Sequence, residues 1–69
     1  MTLGKYGVFE DLRCLILNDI GCFLMAKKEF DIALEYFQIS FDICLKYKFE
    51  FILSITLMNL GILYEHVGR

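Results

Sequence analysis

Sixty-nine residues with a net charge of −2 make at most one small domain, of a size that buries only about 60% of its unfolded surface. Yet 58% of the residues are hydrophobic and the mean hydropathy is +0.56, which leaves a membrane protein, an oligomer, or a part of something larger. The first is disfavoured: the longest uncharged run, Phe51 to Tyr64, has fourteen residues against the roughly 18 of a membrane span, and no basic start precedes it as in a secretory signal.

In chain order, residues 1–7, MTLGKYG, hold two glycines and no periodicity and read as a loose lead-in. A first helix is predicted from Val8 to Ala26, with Glu10 and Asp11 in its first turn and Lys27-Lys28 just past its last. That polarity suits the helix dipole at both ends. A second helix is predicted over Glu29–Lys48, and a third over Glu50–His66 with Gly68 as its breaker. Proline and Asn-Gly turn pairs are absent, so the expected class is all-α.

The central helix organises the rest. At about 100° per residue, Asp31, Glu35, Gln38, Asp42 and Lys46 form one polar stripe, and Ile32, Tyr36, Ile39, Ile43 and Tyr47 a second, apolar one. Phe30, Ala33, Leu34, Phe37, Ser40, Phe41, Cys44 and Leu45 fill the remaining arc. A helix packed on one neighbour needs one apolar face. This one has two, so the Ile/Tyr stripe is expected to dock on the helix that follows.

An internal repeat fixes the unit. LNDIGCFL (17–24) aligns with LMNLGILY (57–64), pairing Leu17/Leu57, Ile20/Leu60, Gly21/Gly61 and Leu24/Tyr64 at an offset of 40 residues, with Phe9/Phe49 and Glu10/Glu50 upstream. The third helix is a second copy of the first. The sequence Ile20-Gly21, Leu24, Phe30, Ala33, Phe37, Ser40, followed by Leu60-Gly61, Tyr64 and Gly68, resembles the tetratricopeptide repeat family. Leu24 stands for the usual tyrosine, Lys28 for the turn glycine and Ser40 for alanine. The family's usual period is about 34 residues. The longer unit resembles those of the Rap- and PlcR-type peptide-pheromone receptors and of the LGN/Pins-type polarity scaffolds.

The resemblance implies an antiparallel helical-hairpin (α-solenoid) fragment of three helices A1-B1-A2, with repeat one at 8–47 and a truncated repeat two at 48–69. Gly21 and Ala33 would lie at the A–B crossing, with Phe30 and Phe37 filling the space beside it. It also implies a protein- or peptide-binding module whose A helices line a groove. On the helical wheel that face holds Asp11, Leu15, Asn18, Asp19, Cys22 and Met25 in the first copy. In the second it holds Phe51, Ile55, Met58, Asn59, Ile62, Glu65 and His66. The Asn18 and Asn59 amides would pair with a ligand backbone; the blander alternative makes Asn59 a pattern residue and Asn18 solvated. The projected face carries no lysine or arginine, which disfavours clamping of a chain terminus.

Other chemistry is not expected. The lysines are too scattered for a nucleic-acid footprint. Cys14, Cys22 and Cys44 are odd in number and lack CxxC spacing, which suits small core side chains in a reducing cytoplasm. His66 has no metal-ligand partner at the usual spacing, and residues 3–7 lack a phosphate-loop pattern. No enzyme activity, cofactor or metal is expected. The competing class is a structural oligomerisation segment. It would self-associate through a flank of helix 50–66 left without a B2 helix, holding Leu53, Leu57, Leu60, Leu63 and Tyr64.

Overall fold

A computed structural model of the chain describes residues 9–68. The predicted lead-in and the first helical position, Val8, lie outside them. The three helices run α1 Glu10–Ala26, α2 Phe30–Tyr47 and α3 Glu50–Val67, and the fold is all-α.

Charge and turn geometry set their limits. Acidic residues open each helix: Glu10 and Asp11, then Asp31, then Glu50. Lys46 and His66 stand in the last turns of α2 and α3. The two turns share one device. Glu29 N–H donates to Leu24 O at 2.8 Å and Phe49 N–H to Cys44 O at 3.0 Å, satisfying carbonyls that a helix end leaves open. The residue before each donor, Lys28 and Lys48, is left-handed at φ 65° and 61°. Gly68, the predicted breaker, caps α3 in a right-handed conformation at φ −70°.

The helices pack antiparallel in succession around one line of α2: Ala33, Phe37, Ser40 and Cys44, each with no exposed surface. Ala33 and Phe37 join Leu60 and Leu63 at one end, and Cys44 joins Cys14 and Ile52 at the other. The expectation that the Ile/Tyr stripe docks on α3 is corrected. Ile32 and Ile39 remain exposed, and Tyr36, Ile43 and Tyr47 are half-buried. The reason is that α1 and α3 also touch each other, so both converge on a single face of α2.

At Gly21 the backbone of α1 meets the Phe37 ring of α2. A Cβ built there would stand 2.7 Å from Phe37 Cζ and 2.8 Å from Cδ1. Phe37 therefore sits over the glycine itself, not beside the crossing as the sequence suggested. The flank of α3 expected to stand open, partly overlapping the α2 contact, divides: Leu60 and Leu63 are buried against α2 and Leu53 is half-buried, while Leu57 and Tyr64 are exposed.

Candidate functional site

Between the two apolar clusters lies a polar layer that crosses all three helices. Asn18 Nδ2 donates to Cys14 O at 3.0 Å and faces Ser40 Oγ at 3.0 Å and Thr56 Oγ1 at 2.9 Å. The two hydroxyls are 3.1 Å apart, and Thr56 Oγ1 donates to Ile52 O at 2.9 Å. Asn59 Nδ2 donates to Asn18 Oδ1 at 2.9 Å. Buried polar groups are costly unless paired, and none of the buried side-chain N or O atoms among the described residues lacks a partner.

This layer corrects the placement of both asparagines. Asn18 is 3% exposed and Asn59 7%, so neither projects into an open groove. Asn18 spends its amide on the helices themselves. Asn59 donates its Nδ2 to Asn18 Oδ1 and so ties α3 to α1. The sequence places Ser40 only as a small residue in the position of alanine and does not single out Thr56. The available signal was a polar residue at the position of each wheel that faces the core.

The other predicted groove residues divide into two groups. Cys22, Met25 and His66 meet in a cleft of ≈ 280 Å³ between the C-terminal ends of α1 and α3, together with Ala26, Lys28 and Phe30. Ile55, Met58, Ile62 and Glu65 lie further along α3, with Met58 60% exposed, Ile62 and Glu65 exposed and Ile55 half-buried. Of the outlying members of the projected face, Asp11, Leu15, Asp19 and Phe51 are all exposed.

His66 stacks on Phe30, ring centroids 5.8 Å apart and 16° from parallel, which ties the end of α3 to the start of α2. A second cleft of ≈ 380 Å³ opens on the far side of this pair, lined by Lys28, Glu29, Phe30, Asp31, His66 and Val67. Lys28 thus borders both clefts, and the expectation of a groove free of lysine is corrected at this end. Its position follows from the turn, which the wheel of α1 could not represent.

The thiols are set by burial. Burial, and then the neighbouring Cys44, pushes the Cys14 thiol up to about 11. Cys22 is raised by burial and then by Asp19. Raised values keep both as neutral thiols rather than nucleophilic thiolates at neutral pH. Among the described residues no group of three or more His, Cys, Asp or Glu is placed to hold a metal ion, and no helix is long and apolar enough to cross a membrane. The chain matches no family model, no curated protein and no solved structure. The arrangement offers an exposed apolar strip of Met58 and Ile62, suited to packing.

Proposed function

We propose that the chain is a cytoplasmic peptide-binding helical module of tetratricopeptide type, with no enzymatic role, whose ligand lies along α3 and ends in the cleft at Cys22, Met25 and His66. The observation that carries this reading is the exposed strip of Met58 and Ile62 leading to that cleft. Concave apolar sites with few polar groups are where peptides and small ligands bind, and Met supplies an adaptable contact. Lys28 supplies a cation at the cleft end.

The test is selection of peptides from a random library by the wild-type chain, followed by titration against Met58→Asp. The expected result is binding weakened by at least about tenfold, as for loss of an apolar anchor, with helicity unchanged because Met58 is exposed. Equal affinity for both chains, or no selectable peptide, refutes the reading. In that case the exposed Leu57 and Tyr64 on α3 favour the structural alternative, a helical oligomerisation segment, which sedimentation would reveal as a self-associated species.

A further inference from the structure

The side of α1 that faces away from the other two helices carries a second surface. At about 100° per residue, Phe9, Leu12, Ile16, Ile20 and Phe23 fall within one arc of about 80°. That arc lies opposite the line of Cys14, Asn18 and Gly21 that α1 buries. All five side chains stand in solvent, from 37% exposed at Ile20 to 73% at Phe9. No charged residue between Phe9 and Phe23 falls inside the arc. None of the five lines the strip of Met58 and Ile62 or the cleft at its end.

The stripe reads the same in both directions. Its intervals are three, four, four and three residues, symmetric about Ile16. Two copies of α1 laid antiparallel on a two-fold axis at Ile16 therefore match along their length. Ile16 meets Ile16, Leu12 meets Ile20 of the other copy, and Phe9 meets its Phe23. A two-fold interface requires such self-complementarity, and an aromatic pair closes each end. Lys27 places its Nζ over the Phe23 ring at 5.5 Å, with the ring still exposed. The five side chains expose on the order of 500 Å² per copy, so the pair buries about 1,000 Å², the size expected of a specific interface. The residues that flank the stripe, Arg13 and Asp19, carry one charge of each sign. Membrane-surface helices instead carry an excess of lysine and arginine, so a second protein surface fits the stripe better than a lipid one.

We infer that a second copy of this chain covers the stripe, forming an antiparallel α1–α1 homodimer centred on Ile16. Burial of these five residues accounts for part of the high apolar content of so short a chain. The interface uses none of the residues of the proposed peptide strip, so each copy keeps its own. Dimerisation and peptide binding are thus separate properties of opposite sides of the molecule.

Sedimentation of the full chain in the micromolar range, with its thiols kept reduced, is the test. Wild type is expected to be a dimer. Ile16→Asp should associate at least about tenfold more weakly, with helicity unchanged because the side chain is exposed. Met58→Asp and Leu57→Asp, both on α3, should dimerise as wild type does. Phe9→Glu and Phe23→Lys should each weaken association, while an equimolar mixture of the two should re-form the dimer. The antiparallel pairing brings the introduced carboxylate beside the introduced ammonium; a parallel pairing would not. A mixture no tighter than its components therefore overturns the inference. A monomeric wild type overturns it as well, whether the stripe then binds phospholipid vesicles or nothing. So does a dimer that Ile16→Asp leaves intact, or one that either α3 variant dissociates, since the self-association surface would then lie on α3.

Discussion

Asn59 reaches across 41 residues of sequence to donate its Nδ2 to Asn18 Oδ1 at 2.9 Å, and so fixes α3 against α1. Asn18 is the hub. Replacing it by Ala removes the partner of Asn59 Nδ2 and leaves the Ser40 and Thr56 hydroxyls with only each other and Ile52 O. Asn18→Ala is expected to cost about 1–3 kcal/mol, the usual penalty for orphaned buried groups. Asn59→Ala breaks a single bond and should cost less, about 1 kcal/mol. Urea denaturation of the two variants decides it: an equal loss would show that Asn18 is not the centre of the layer.

The two equivalent glycines should respond with opposite signs. Gly21→Ala drives a methyl into the Phe37 ring and should lower stability by about 1–3 kcal/mol, as overpacking does. Gly61→Ala meets no atom within 4 Å and should raise stability by up to about 1 kcal/mol, the helix-propensity difference. Thermal midpoints moving in the same direction would contradict the packing of Phe37 over Gly21.

Much of this fold was legible because it is local. The acids at Glu10, Asp31 and Glu50 and the lysines at the turns mark the helix limits to within a residue or two, and the 40-residue offset marks the repeat. The faces were harder to read. On α3 aliphatic side chains lie around most of the circumference, so hydrophobicity cannot choose which of Leu53, Leu57, Leu60 and Leu63 goes inside. The choice is made by Thr56 and Asn59, whose hydrogen bonds to Asn18 hold that side of α3 inward. A wheel treats such polar residues as solvent-facing, which is why Asn18 and Asn59 were expected in the groove. Cys22, Met25 and His66 were legible as neighbours because they lie at the parallel ends of two copies of one helix. Lys28 was not, since a turn residue has no place on either wheel.

Lys28 and Lys48 hold left-handed backbone at φ 65° and 61°, a conformation that costs a residue with a Cβ about 1–2 kcal/mol. Glycine removes that strain but has more freedom to lose on folding. The net expectation for Lys48→Gly is a gain of about 0.5–1 kcal/mol, seen as a higher melting temperature. Lys28→Gly should gain similarly in stability while also removing the cation from the cleft at His66. A lower melting temperature for Lys48→Gly would show that its side chain contributes more than its backbone costs.

The buried Cys14 thiol gives the fold an alkaline limit. Its pKa stands at about 11, against an ordinary 9.0, because burial and then Cys44 disfavour the thiolate. A folded-state value above the unfolded one means that the unfolded chain loses its proton first as pH rises. The stability held by this thiol is therefore complete below about pH 9 and is lost progressively between about pH 9 and 11. Lysine and tyrosine ionisation act in the same range, so the measurement is a comparison. Urea midpoints at about pH 8 and 10.5, spanning this loss, should fall further for wild type than for Cys14→Ala. The variant starts from a lower midpoint, having lost a small buried side chain. Parallel declines in the two proteins would mean that Cys14 ionises no differently in the folded and unfolded chain, and that its surroundings are wetter than the packing against Cys44 and Ile52 requires.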